Sequence, residues 1–398
     1  MRRKHRLGGM AFGVALGVLC WSGAVAKEPI KVGFLASYVG VLAKIGQDMD
    51  RGFRLGLEEV GYTAGGRQLT MVTEDTEGKP ELGPTKARKL IENEKVQLIA
   101  GIDHSGIGIA IRDIVTNAKI PTVITNAGAY DLTGKLKSPY IFRVSFANGQ
   151  MALPMGWYAA NKLGFKRMII IAPDYSAGHE WASRFMKYFK ESGGTIVEEI
   201  FAPLTTTDFA PYLAKIQGRA KEVDAVWAFF PGSGSIRLIT QYEEYGLKGV
   251  VPLLSLGDTV EDSVLSSMKD AALGVKNTLH YAATLKTPEN QKFVKAYVAK
   301  YKESPSMYSE QGYVGAKVIT LALEAVKGDI DNQAAFLAAL KKIKFNAPRG
   351  PISFDENQNV VQNVYVRQVE RVDGKLINTV LDTIPNVDQD WSPAKLKK

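Results

Sequence analysis

His104 and Ser105 stand side by side just after an apolar run, so the first chemistry to weigh is nucleophilic. A serine hydrolase presents its nucleophile within G-x-S-x-G at a sharp strand-to-helix turn. Here the surroundings are Gly101-Ile102-Asp103-His104-Ser105-Gly106, which do not match. Beyond the first 26 residues the other histidines are His179 and His280, widely spaced and outside any H-E-x-x-H, so no metal site is expected. Gly106 and Gly108 open a dinucleotide-like spacing, but Ile111 occupies the third position and the pattern falls late in its strand–helix unit. No G-x-x-x-x-G-K-S/T occurs. The chain offers no coherent catalytic set, and no cofactor is expected. A hydrolase built on Ser105 and His104 is the weakest alternative.

Binding is better supported. In open α/β sheets, ligands sit beyond the carboxyl ends of strands, where loops meet helix N-termini. Small or polar residues gather at such ends in Ser37-Tyr38-Val39-Gly40, in Asp103 to Gly106 and in Asn126-Ala127-Gly128-Ala129. The later half repeats the pattern in Asp174-Tyr175-Ser176-Ala177-Gly178, Phe230-Pro231-Gly232-Ser233-Gly234 and Gly257-Asp258. One such loop is ordinary turn chemistry. Six at corresponding places point to a site. Free backbone N–H groups at a helix start, with a serine hydroxyl beside them, bind an anion without a formal positive charge, which suits a carboxylate.

The elements that must hold these loops follow from apolar periodicity. Strands are predicted at residues 30–36, 69–73, 96–100, 122–125, 168–172, 225–229 and 251–255. Met168-Ile169-Ile170-Ile171-Ala172 is continuously apolar, as for a strand covered on both faces. Met49, Phe53 and Leu57 recur every four residues, as do Trp181, Phe185 and Phe189, and each trio marks the buried stripe of a helix. Asp208 is placed to cap a helix running to Gly218. Strand then helix, repeated, means parallel sheets flanked by helices. Two successive sets of such units occur, with no Gly/Ser/Pro linker between them, which fits two lobes joined by several close crossings. Helices at 289–302, 308–327 and 332–342 follow, then hairpin-like strands near 352–354 and 363–369. No short-period repeat is evident.

Composition agrees. At 398 residues, 45% hydrophobic and 23% charged, the chain is long enough for two domains. Arg2, Arg3, Lys4 and Arg6, an apolar run from Met10 to Trp21, and Ala24-Val25-Ala26 form a secretory signal, with cleavage expected after Ala26. The apolar run is short for a membrane anchor, which needs about 20 residues. The sole cysteine, Cys20, lies in this leader behind Leu19 rather than a small residue, so neither lipid anchoring nor disulfides are expected. Removing the four leader cations takes the net charge from +9 to +5, a modest surplus that calls for no nucleic acid partner. No later segment is long and apolar enough to insert the mature chain in a membrane.

The chain resembles the branched-chain-amino-acid type of periplasmic binding protein, which serves ATP-driven transporters. The carrying segments are IKVGFLASYVGVLAKIGQDMDRGFRLGLEEV, VQLIAGIDHSGIGIAI, IPTVITNAGA, SPYIFRVS, IIIAPDYSAGHE, TTTDFAPYLAKIQ, VDAVWAFFPGSG and GPISFDENQN, in the family's order along nearly the whole mature chain. The resemblance implies an α/β fold of two doubly wound parallel-sheet lobes joined by a three-crossing hinge, the type I periplasmic binding protein. It places residues 28–143 with 281–351 in the N-terminal lobe, and 144–280 with 352–398 in the C-terminal lobe. It implies a ligand-binding component, acting as a monomer with a membrane permease, located in the periplasm.

Carried over residue by residue, Ser105 becomes the hydroxyl ligand of a carboxylate, beside Gly106. Backbone groups of Ala127 and Ala129, flanking Gly128, complete the anion site, Tyr175 closes from the second lobe, and Arg143 is a hinge residue. Two positions depart from the family: Ala177 replaces a tyrosine, and Gly257, with Asp258 next to it, stands where amino-acid binders place the acid that holds an ammonium. A protonated amine without an anionic partner costs several kcal/mol in a closed cleft, so an acid lacking the amine is expected. Tyr38, Tyr175, Phe229, Phe230 and Tyr308 could stack on a ring, although Phe229 and Phe230 alternate and at least one must be core. Asp103, His104 and Gln311 are candidates for reading a ring hydroxyl. The expected guest is a small hydrophobic, aromatic carboxylate. The alternatives are a branched-chain amino acid, favoured if Asp258 reaches the cleft, and a periplasmic sensory subunit.

Overall fold

The computed structural model describes Met1 and residues 28–397. The expected signal sequence, apart from Met1, and Cys20 lie outside the described residues. Strand Ile30–Ala36 pairs in parallel with Arg67–Asp75 on one side and Leu98–Gly101 on the other. Thr122–Ile124 and Ile141–Arg143 extend this sheet in parallel, and the short antiparallel strand Thr63–Ala64 closes its other edge. The second sheet repeats the order. Arg167–Pro173 lies between Thr195–Ala202 and Ala225–Ala228, followed by Leu253–Leu256 and Lys276–Leu279, all parallel. Long antiparallel strands Val360–Val372 and Lys375–Val387 then widen it.

The buried patterns explain these elements. Residues 168–172 are wholly inaccessible, because helices cover both faces of that strand. Met49, Phe53 and Leu57 on helix Ala43–Glu59 are equally buried, as are Phe185 and Phe189 on helix Ser176–Glu191. The Asp208 carboxylate accepts the Ala210 N–H at 2.9 Å, at the start of helix Ala210–Gly218. Strand Thr195–Ala202 was not expected, since Glu198 and Glu199 interrupt its apolar run. It is the sheet's outer parallel strand, and those side chains stay partly in solvent.

The chain passes from the first sheet to the second after Arg143, returns after Leu279 to lay helix Met307–Ala325 on helix Ala43–Glu59, and crosses again to strands Lys344–Ala347 and Gly350–Phe354. Because Lys344–Ala347 already pairs within the larger sheet, sheet membership favours a third crossing slightly before residue 352. Two buried arginines tie the crossings together. Arg143 donates to Asn359 Oδ1 and to the Ala129 carbonyl, each at 2.7 Å. Arg349 reaches Glu310 at 2.9 Å, the Val144 carbonyl at 2.9 Å and Gln362 at 2.7 Å.

The helix pair Ala43–Glu59 and Met307–Ala325 meets backbone to backbone through glycines. A Cβ on Gly312 would lie 2.1 Å from the Met49 carbonyl oxygen, and one on Gly52 would lie 1.7 Å from that of Ser309. Gly312→Ala should therefore destabilise the protein by about 1–3 kcal/mol in denaturant unfolding. Gly218→Ala, whose added methyl meets nothing within 4 Å, should cause no loss. Equal stabilities for the two variants would contradict this packing.

Candidate ligand-binding site

Both sheets aim their strand tips at one cleft. In the first lobe, Gly101 and Ile102 take positive φ angles of 96° and 69°. For a β-branched residue such as Ile102 this is a strained conformation, tolerated where surrounding bonds fix it. Its N–H bonds to the Leu35 carbonyl and its own carbonyl accepts the Ala127 N–H at 2.8 Å. The turn delivers Asp103, His104 and Ser105 to the start of helix Ser105–Asn117. His104 caps that helix, with Nδ1 accepting the Gly106 N–H at 3.0 Å. This bond assigns the neutral ring's proton to Nε2, which is then a donor. Burial holds His104 below its ordinary pKa range.

A cavity opens at this point. The first lobe contributes Leu42, Ile45, Asp103, His104, Ser105 and Tyr308, with Asn126 and Gly128 beside them. Phe146 and Asn148 line it from the first crossing. The second lobe supplies Tyr175, Trp181, Leu204, Phe229, Pro231 and Asp258. Among the described residues, no lysine or arginine lines it. The lobes touch at its rim. Tyr308 donates its hydroxyl to Asp258 Oδ2 at 3.3 Å, the Met307 N–H meets Glu261 at 2.8 Å, and Asn148 meets Glu180 at 2.7 Å. Arg184 also lies over the Tyr130 ring at 4.1 Å.

Two acids stand unfinished in this cavity. Asp103 Oδ2 accepts the Ser37 N–H at 2.9 Å, but its Oδ1 has no partner. Asp258 Oδ2 receives Tyr308, and its Oδ1 has none either. Each residue is only 7% exposed. Burial pushes Asp258 up to about 7, against the Tyr308 hydrogen bond and the nearby Arg367 charge. Burial likewise pushes Asp103 up to about 6, against its bonds from Ser37.

Of the residues singled out by sequence, the structure brings Ser105, His104, Asp103, Gly128, Tyr175 and Asp258 to the cavity, with Phe229 and Tyr308. Others fall elsewhere. Ala127 and Ala129 do not line it, because the Ala127 N–H is committed to Ile102 and the Ala129 carbonyl to Arg143. Phe230 points to the opposite face of its strand end and packs edge-on against Phe209 at 4.9 Å, wholly buried. Gly106 is turned toward Pro80, and Gly257 packs against Leu279 and Arg367. Tyr38 donates its hydroxyl to Asp50 at 3.0 Å. Gln311 lies behind the wall, bonded to Asn126 at 2.9 Å and facing His280 at 3.2 Å. Sequence reasoning missed Phe146, Asn148 and Trp181. The segment Ser145-Phe146-Ala147-Asn148-Gly149 carries the same small-and-polar signal as the other strand ends, and Trp181 shares the apolar stripe of its helix, which reads as core.

The architecture and site define a two-lobed solute-binding protein with its cavity where the lobes meet. The chain belongs to the periplasmic binding protein family, whose profile matches residues 29–375. It is 32% identical over 368 residues to Leu/Ile/Val-binding protein homolog 6 of Brucella melitensis, covering 90% of this chain and 93% of that one. The ABC transporter substrate-binding protein of Sphaerobacter thermophilus superposes with a TM-score of 0.88 at 42% identity, covering 91% of this chain and 99% of the other. A solute-binding protein of an ABC transporter from Rhodopseudomonas palustris BisB5, in complex with 3,4-dihydroxybenzoic acid, gives 0.87 at 34% identity, covering 93% and 100%. The protein is a periplasmic solute-binding component of an ABC transporter. No helix among the described residues is long and apolar enough to cross a membrane.

The raised acids carry a consequence for closure. Opening parts Asp258 from Tyr308, solvates it and returns it toward an ordinary carboxyl near 4, so between about pH 4 and 7 the closed form binds more protons. Raising the pH through that window should open the ligand-free protein. Small-angle scattering should give a larger radius of gyration at pH 8 than at pH 5, and an equal or smaller one would contradict the assignment.

Proposed function

We propose that the protein captures a small hydroxylated aromatic carboxylate in the periplasm and delivers it to a membrane permease. The carboxylate docks on Ser105 at the start of helix Ser105–Asn117, and a ring hydroxyl donates to Asp258 from the second lobe. The observation that carries this reading is the unpartnered Oδ1 of Asp258, a residue lining the cavity together with Phe146, Tyr175, Trp181, Phe229 and Tyr308. Aromatic walls favour a ring, and a buried acceptor favours a guest with a donor. The Rhodopseudomonas relative, with its dihydroxylated aromatic acid, supports the same class. The mature protein begins after Ala26 and works as a monomer by hinge closure, which requires the guest to bind the closed form better than the open one.

A branched-chain amino acid is the second reading, because Asp258 does line the cleft and a relative is named a Leu/Ile/Val-binding homolog. Thermal-shift titration separates the two, since a bound guest raises the melting temperature with its concentration. 4-Hydroxybenzoate should stabilise the protein more than benzoate does, and leucine should do neither. Stabilisation by leucine alone would reject the aromatic assignment. Two variants sharpen the test in calorimetric titrations. Ser105→Ala should weaken 4-hydroxybenzoate by about 1.5–3 kcal/mol, as for a hydrogen bond to a charged group, and an unchanged Kd would remove Ser105 from the site. Asp258→Asn keeps an acceptor for a hydroxyl, so it should cost 4-hydroxybenzoate at most about tenfold. An ammonium ligand would instead lose about 3–5 kcal/mol on being left buried without its counter-ion.

A further inference from the structure

The charge balance of the closed cavity does not add up for an anionic guest. Asp103 and Asp258 are both buried there, and a bound carboxylate would be the third negative group in a space lined by no lysine or arginine among the described residues. His104 cannot supply the missing positive charge. Its Nδ1 lone pair accepts the Gly106 N–H, so protonating it would break the cap on helix Ser105–Asn117. Asp258, pushed up to about 7, has a hydroxyl donor in Tyr308 and stands on the second lobe, across the cavity from the guest's carboxylate, so the anion does not press on it.

Asp103 has neither advantage. The groups facing it are Ser37 and Tyr38 beyond strand Ile30–Ala36, Asp75 at the end of the neighbouring strand, and His104 and Ser105 on its own segment. Asp75 is itself an acid, none of the others is cationic, and Asp103 Oδ1 has no partner. Asp103 also stands two residues before Ser105, on the same turn into the helix.

We propose that binding takes up one proton from solvent, carried by Asp103, whose Oδ1–H then donates to the bound carboxylate alongside Ser105. This rests on the carboxylate reading above. The protonated acid converts a repulsive neighbour into a donor, and the resulting hydrogen bond between a carboxyl and a carboxylate is charge-assisted. In the free protein, burial places Asp103 at about 6, and an adjacent anion can only move it further upward. Below that value the acid is already protonated and no uptake occurs. Above it, uptake approaches about one proton and affinity falls about tenfold per pH unit.

Calorimetric titration of the full mature chain with 4-hydroxybenzoate, in buffers of different ionisation enthalpy, measures the protons directly. At pH 8 the expected uptake is about one, fading toward zero by pH 5, with Kd rising about tenfold per unit between pH 7 and 8. Asp103→Asn is isosteric, can still accept the Ser37 N–H, and offers an N–H to the guest at every pH. It should abolish the uptake and bind about tenfold or more tightly than the native protein at pH 8. A native protein with no uptake and a pH-independent Kd overturns the proposal. Uptake that persists in Asp103→Asn overturns its assignment to Asp103. Leucine binding with no response to 4-hydroxybenzoate at any pH is a different failure. A zwitterion brings its own positive charge, and the carboxylate reading itself would then fall.

Discussion

Burying a carboxyl oxygen without a donor costs roughly 1–3 kcal/mol, and the closed cleft of this protein buries two. Asp103 presents one from the first lobe and Asp258 the other from the second. Phe146, Tyr175, Trp181 and Phe229 wall the space with apolar surface. Closure over an empty cavity leaves that cost in place, and closure over a guest that supplies donors removes it. A receptor that must report occupancy gains its discrimination from this difference, because only a guest that favours the closed form shifts the equilibrium.

The rest of the molecule sets up that confrontation. The same strand order occurs in both sheets, so each lobe has a switch point where loops at the strand tips part and leave room for a ligand. The first lobe puts polar groups at its tips, through the strained turn at Ile102 and the His104 cap. The second contributes most of the aromatic wall through Tyr175, Trp181 and Phe229, and with it Asp258. Arg143 and Arg349 hold the crossings in one bundle, so the lobes meet in a fixed register rather than as beads on a string. Buried arginines are costly unless fully bonded, and carbonyl and side-chain oxygens from several crossings meet that demand here.

Much of this was legible in the sequence because burial on both faces writes itself as an unbroken apolar run. Residues 168–172 are the clearest case, residues 32–36 follow behind the exposed Lys31, and the helices announced themselves by fourfold spacing. Outer strands were less visible. Thr195–Ala202 and Lys375–Val387 carry acids, lysine and threonine on solvent-facing positions, so their apolar signal is diluted. The site was readable at the level of loops and not of atoms. Ser105, Tyr175 and Asp258 could be named because strand tips must face the cleft. The loss of Ala127 could not, since it depends on where the carbonyl of Ile102 turns, a detail set by one positive φ angle. Phe229 and Phe230 illustrate the limit: alternation guarantees that one is core, but register alone decides which.

The central claim concerns the orientation of the guest across the two lobes. A crystal structure of the mature protein with 4-hydroxybenzoate tests it most directly. The lobes should be closed, with the carboxylate within hydrogen-bond reach of Ser105 and the ring hydroxyl on Asp258. A guest lying the other way round, or one seated outside the space shared by Ser105 and Asp258, would contradict it.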